Sequence, residues 1–169
     1  TDIVYSVTQS IAVQVLDLDE EPPQFSTSWG SPHKVNVVEN DTLVLELNAT
    51  DNSTTVTAIS YSIVEGSPGS PDGGFFEIDS NFSPPKLKFK QVPDYENPRD
   101  SDANNTYSVE VNATDHMTNS SIQAINVIVQ NIDEPPYFVE SNFTLVEDAN
   151  DTAPVFNVAD PEGQPVDYY

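Results

Sequence analysis

The chain has 169 residues, enough for one comfortable domain with large flanks or for two small ones. Its 28 acids against 5 Lys and Arg give a formal net charge of −23, which argues against nucleic acid and against anionic lipid as partners, since phosphate binding needs a basic face. Acid in such excess either keeps a chain disordered or gathers around a hard cation, and apolar residues at 37%, recurring in regular short runs, argue against disorder.

Almost nothing reads as helix. In chain order the expected strands are Ile11–Leu16, Val35–Val38, Leu43–Ala49, Ala58–Val64, Phe75–Ile78, Leu87–Val92, Tyr107–Ala113 and Ile122–Val129. They are short, alternating and β-branched, and Gly, Pro, Asn, Asp and Ser separate them at the spacing of an all-β sandwich. The Glu39-Asn40-Asp41 turn divides the second from the third, and GSPGSPDGG after Val64 is a loop. Seven of these strands fall within roughly 110 residues, a length that one sandwich fits.

Two stretches punctuate the chain. VQVLDLDEEPPQF at Val13–Phe25 returns in shorter form as VIVQNIDEPPYF at Val127–Phe138. Each is an alternating strand that runs into a knot of carboxylates and stops at Pro-Pro-x-aromatic. Asp2 stands 23 residues before Phe25, and Asp115 stands 23 before Phe138, so the unit is a tandem repeat. Beyond Phe138 the pattern restarts, with LVEDAND answering VVENDT and VADPEG answering NATDNS. The expected division is the end of one repeat (1–23), a whole repeat (24–134) and the start of a third (135–169). Thr1, opening in mid-strand sequence, reads as a cut edge.

The carboxylate knots have a physical logic of their own. Four acids in the five residues DLDEE repel one another unless neutralised. Calcium takes six to eight oxygens, mostly carboxylate and carbonyl, and turns at strand ends bring distant acids to one pole of a sandwich. The proline pair fixes backbone angles and stiffens the exit from each hinge.

There is no Cys, so no disulfide framework exists, and no run reaches membrane-spanning length. Compartment is read instead from sequons: Asn40, Asn48, Asn52, Asn81, Asn104, Asn112, Asn119, Asn142 and Asn150 all precede x-Ser/Thr. Chance would give about 3 in this composition, and the excess points to a secreted glycoprotein. In Leu43–Ala49 the apolar set Leu43, Leu45, Leu47 and Ala49 leaves Asn48 outside, and in Tyr107–Ala113 the inward Val109, Val111 and Ala113 leave Asn112 outside. His33 and His116 lack ligand-spaced partners and read as surface residues; Trp29 reads as local packing. No GxSxG, HExxH, P-loop or dinucleotide fingerprint suggests an enzyme.

Taken together, VVEN with Glu39, DYE with Asp94 and Glu96, ATDNS with Asp51, VNATD with Asp115 and the two hinges resemble the cadherin extracellular repeat. SYSI, FFEID, LKFK and YSVEV fall in the family's order, and the likeness covers the whole chain. It implies a Greek-key, seven-stranded β-sandwich of the immunoglobulin-like cadherin type, with Ca2+ at each hinge. At the first hinge it implies ligands from Asp17, Asp19, Glu20, Glu21, Asp51 and Asp115. At the second it implies Glu39, Asp94, Glu96, Asn131, Asp133, Glu134, Asp160 and Glu162. Ser53 stands where the family carries a second Asp, and Asn131 is neutral in a linker one residue short.

The resemblance implies a calcium-stiffened rod in a cell-surface adhesion protein. Its partners would be neighbouring repeats of the same chain and other cadherin-like repeats. A repeat of a long glycosylated extracellular filament, or a rigid spacer in a larger surface protein, would use the same rod. An exposed apolar face would favour adhesion, and glycans on every face would favour the filament.

Overall fold

The computed structural model describes residues 2, 5–15, 19–52, 58–139 and 157–166. Eleven strands occur among them: β1 (Gln24–Phe25), β2 (His33–Val38), β3 (Leu43–Glu46), β4 (Ala49–Thr50), β5 (Ser60–Ile63), β6 (Phe76–Asp79), β7 (Lys86–Phe89), β8 (Thr106–Thr114), β9 (Ser120–Gln130), β10 (Tyr137–Phe138) and β11 (Val158–Ala159). A single 3-10 turn, Gly73–Phe75, is the only helical element described, and no helix is long and apolar enough to cross a membrane.

The strands form a four-stranded sheet, β2-β9-β8-β5, facing a three-stranded sheet, β3-β7-β6. All seven arise from the segments expected between the hinges. The pair β2–β9 is parallel, with His33 opposite Ile125 and Val38 opposite Gln130; the other pairs in these sheets are antiparallel. Two short ribbons, β1–β4 and β10–β11, lie at the hinges.

Period-2 alternation builds the core. On β8, Tyr107, Val109, Val111 and Ala113 are buried, and on β9 Ile125, Val127 and Val129 face the same way. From the other sheet Val44, Leu47, Phe76, Leu87 and Phe89 meet them. Phe76 and Phe89 pack at 4.5 Å, and the Tyr107 ring stands edge-on to Phe89 at 5.1 Å and to Phe75 at 5.6 Å. Such geometry adds about 0.5–1.5 kcal/mol per pair beyond area burial. The Tyr107 hydroxyl accepts a bond from the Arg99 N–H (3.0 Å), so its polar end is satisfied.

Two expectations are corrected. The third expected strand is not one regular run facing inward through Leu43, Leu45, Leu47 and Ala49. A bulge between Leu43 and Leu45 shifts the register, so Val44 is buried and Leu43 is 40% exposed. The parity is restored by Leu47 and Ala49, both buried, and Asn48 is exposed as expected. Asn112 points away from the core but is half-buried on the sheet face.

The expected strand at Ile11–Leu16 is not formed over its described residues 11–15. Ile11, Val13 and Val15 are 78–88% exposed, because no described strand lies beside them to complete a ladder or cover the apolar face.

Leu87 is fully buried between the sheets. Leu87→Ala is expected to cost about 2–5 kcal/mol in unfolding free energy. Denaturant unfolding of the two proteins at one calcium concentration checks this through the midpoint, with little change in slope.

Candidate metal centres

The parallel β2–β9 pair decides where the acids go. Both strands end at the same pole, where the Glu39 N–H donates to the Gln130 carbonyl (3.0 Å). Asn40 then turns the chain with φ 64, a left-handed conformation that Asn tolerates. Glu39 is therefore carried to the start of the second linker, and it is only 2% exposed. Its Oε2 accepts from the Tyr95 N–H (2.8 Å) and its Oε1 from the Ile132 N–H (2.9 Å). One carboxylate thus ties the β2 turn, the 94–97 turn and the linker.

Around it, oxygens of Glu39, Glu96 and Glu134 lie within 4.8 Å of one another. Glu96 accepts from Asn131 Nδ2 (2.7 Å), and Glu134 from Asn40 Nδ2 (2.5 Å). The β10–β11 ribbon brings in the far side, pairing Phe138 with Val158 and Tyr137 with Ala159. Asp160 follows directly, in a turn closed by the Gly163 N–H on the Asp160 carbonyl; Gly163, at φ 71, takes the backbone that a Cβ disfavours. Glu162 Oε1 accepts from the Glu134 N–H (3.2 Å), while its Oε2 is buried with no hydrogen-bond partner. Asp94, Glu96, Glu134 and Asp160 all line one open cavity of about 550 Å³. Asp133 is exposed, and its Oδ1 accepts from Gln164 Nε2 (3.3 Å).

At the opposite pole, oxygens of Asp19, Asp51 and Asp115 lie within 4.8 Å of one another. Asp115 directly follows β8 and is 6% exposed. Asp51 follows β4, which pairs with β1 just beyond the first hinge. The Asp19 side chain is 3% exposed; His116 Nδ1 is 3.8 Å from its Oδ2, and no donor bonds that oxygen. Asn119 closes the group, donating through Nδ2 to the Asp19 carbonyl (3.1 Å) and to Asp115 Oδ2 (2.9 Å). Glu20 and Glu21 are exposed and outside this trio, and Asp17 and Ser53 lie outside the described residues.

The electrostatics of the two poles differ. Burial works against the charged form of Asp115, but bonds from Asn119 and Met117, with the nearby His116, outweigh it and leave its pKa below the ordinary Asp value. Glu96 goes the other way. Loss of water around its carboxyl, then the charges of Glu39, Glu162 and Glu134, push its pKa up. No Lys or Arg ion pair reaches either trio among the described residues. A buried carboxylate without a cation is unfavourable, and the bare oxygens of Asp19 and Glu162 fit a hard cation that takes oxygen ligands.

Sequence reasoning missed Asn119 and Gln164 as members of these groups. Asn119 stood out only as a sequon and Gln164 had no signal, since neither is acidic. His116 is half-exposed, and its proximity to Asp19 follows from a fold contact that spacing does not reveal. Of the other sequons, Asn40, Asn81 and Asn104 are exposed with their amides bonded to Glu134, Asp79 and Asp102. Asn48 and Asn52 are exposed, and Asn142 and Asn150 lie outside the described residues.

Fold and poles together define a β-sandwich module with a cluster of carboxylates at each pole. The sequence model of the cadherin domain matches residues 33–130, and the chain belongs to the cadherin family. The repeats of this family are extracellular modules of cell-surface adhesion proteins. Human protocadherin alpha-11 is 35% identical over 115 residues, which are 66% of this chain and 11% of that protein; its chimpanzee counterpart matches equally. The chain therefore corresponds to about a tenth of the length of these relatives. Among solved structures, the protocadherin gamma B4 extracellular domain superposes with a TM-score of 0.51 at 23% identity, covering 87% of this chain and 22% of that one. Extracellular domains 1–4 of protocadherin gamma B7 give 0.51 at 22%, covering 86% and 34%. At that identity the likeness speaks for the shared fold.

Glu96 sits among like charges, so in chelator Glu96→Gln is expected to leave thermal stability unchanged or raise it modestly, since Gln keeps the acceptor for Asn131. A thermal melt in excess chelator measures this; a fall in the midpoint would show that repulsion is absent at this pole.

Proposed function

We propose that residues 24–134 form a complete cadherin repeat of a cell-surface adhesion protein, flanked by the end of a preceding repeat (1–23) and the start of a following one (135–169). Both hinges are calcium sites. The observation that supports this most is the convergence, at each pole, of three carboxylates drawn from separate segments of the chain.

At the first hinge Asp19, Asp51 and Asp115 are the ligands, with Asp17, Glu20 and Glu21 from the linker supplying further oxygens. At the second, Glu39, Glu96 and Glu134 are the inner ligands, joined by Asp94, Asn131, Asp133, Asp160 and Glu162. Bound calcium supplies charge neutralisation and a fixed oxygen cage. The protein's own part is positional: Asn119 and Ile132 hold ligand groups in place by backbone and amide bonds, and the proline pairs stiffen the exit. With the cage filled, neighbouring sandwiches are held in line; without it, mutual repulsion loosens the hinge. The partners are adjacent repeats of the same chain and cadherin-like repeats presented by other molecules.

At the affinity of extracellular calcium modules, on the order of 10⁻⁴ M, about 10 mM calcium is expected to stabilise the folded chain by about 2.7 kcal/mol per coupled site. Limited proteolysis with and without chelator tests the hinge itself. Cleavage near residues 17–23 and 131–136 is expected to accelerate when calcium is removed, and unchanged cleavage would sink the calcium mechanism while sparing the fold. By calorimetric titration, Glu39→Gln and Asp115→Asn are each expected to weaken calcium binding at one hinge and spare the other.

A further inference from the structure

A groove on the flank of the sandwich is not used by either pole. It has a volume of about 630 Å³, within the range of small-ligand sites, and Phe25, Trp29, Glu46, Asn48 and Thr50 are among the residues that line it. One wall is a preformed aromatic stack. The Phe25 and Trp29 rings stack at 5.9 Å and 25°, and Trp29 is backed by His33 at 4.5 Å and 7°. The Trp29 N–H closes a turn on the Ser26 carbonyl (2.9 Å), and the β1–β4 pairing sets Phe25 opposite Ala49. Around the stack stand polar groups: Gln24, Ser26, Thr27 and the Glu46 carboxylate, which Lys86 Nζ approaches at 3.8 Å. The aromatic surface that this stack leaves toward the groove, bordered by amide, hydroxyl and carboxylate, suits a pyranose. The axial C–H groups of such a sugar meet the electron-rich ring face while its hydroxyls meet the polar rim.

Asn48 and Thr50, two positions of the sequon Asn48-Ala49-Thr50, are themselves lining residues of the groove. Five of the other sequons are less suited. Asn119 spends its amide on Asp19 and Asp115 at the first pole, and Asn112 is half-buried on the sheet with its amide on Thr114 Oγ1. Asn40, Asn81 and Asn104 each donate to a carboxylate. Asn48 is exposed and its side chain makes no hydrogen bond with the described residues.

We propose that Asn48 carries an N-linked glycan whose first sugars lie back in this groove on the Trp29 and Phe25 rings. The modification joins Asn48 Nδ2 to C1 of the first sugar of a polyprenyl-pyrophosphate-linked oligosaccharide. The C1–O bond to the pyrophosphate breaks, the lipid pyrophosphate leaves, and one Nδ2 proton is lost. The remaining Nδ2 proton and the free Oδ1 stay available for the rim. The occupant is thus attached to the wall of its own site, which removes most of the entropy cost of bringing a sugar there. The inference rests on the extracellular reading and is independent of calcium, so the proteolysis experiment and this one can fail separately.

Trp29 is the only tryptophan in the chain, so its fluorescence reports on the groove alone. The chain, secreted from a glycosylating eukaryotic host, is expected to show Asn48 occupied by peptide mass spectrometry. Acrylamide quenching of Trp29 is expected to rise in Asn48→Gln, which lacks the glycan that covers the groove. Native trimming of the wild-type glycans to one sugar, then complete enzymatic removal, gives the same reading without a mutation. Quenching is expected to rise mainly at the final step. An unoccupied Asn48, or an occupied one with quenching unchanged by complete removal, overturns the proposal.

Discussion

The structure turns on one buried carboxylate. Glu39 is almost wholly removed from water, yet its two oxygens are bonded to backbone N–H groups of the 94–97 turn and of the second linker. Those bonds are worth more than neutral ones because the acceptor is charged, and they exist only where β2, the long loop before β8 and the exit of β9 meet. What they do not supply is a counter-charge. The pole is therefore well ordered and electrostatically incomplete at once. Because Glu39 is held by backbone rather than by other side chains, the acids that gather on it arrive at a site already in place.

The two poles reach this condition differently. At the first, amide groups do much of the holding: Asn119 bridges Asp19 and Asp115, and the Ser121 hydroxyl donates to the Pro23 carbonyl (2.5 Å), clamping the hinge exit onto the start of β9. The hydrogen bonds on Asp115 favour its charged form against the cost of burial. At the second, more acids crowd together and Glu96 is pushed toward protonation. The second linker, shorter and less acidic in sequence, thus gathers the denser negative cluster in space, because Glu39, Glu96 and Glu162 come from elsewhere in the chain.

Much of this was legible in the sequence, since strand alternation and clustered acids are local signals. Seven strands and the inward faces of β8 and β9 could be read directly. The bulge at Leu43–Leu45 could not, because LVLEL alternates apolar residues on both faces and only packing against β7 chooses Val44. The segment Ile11–Leu16 alternates as regularly as the others; a strand, however, is a property of a pair, and no described strand lies beside residues 11–15. Two buried acids went unnoticed. Asp72 accepts from the Ser101 and Ser108 N–H groups, and Asp100 accepts from those of Asn104 and Asn105, so both serve loop architecture. From sequence an acid that binds backbone looks the same as one that binds metal.

The parallel pairing of β2 with β9 has a consequence under tension. The chain enters the sandwich at the first pole and leaves it from the end of β9, an 11-residue strand about 36 Å long, at the other. A pull applied through the two hinges would slide β2 and β9 past each other lengthwise, loading the ladder between His33–Val38 and Ile125–Gln130 across all its rungs together. Peeling, which breaks rungs one at a time, is not available to a force in that direction. The pairing that brings Glu39 to the linker thus also makes the repeat resist extension in shear.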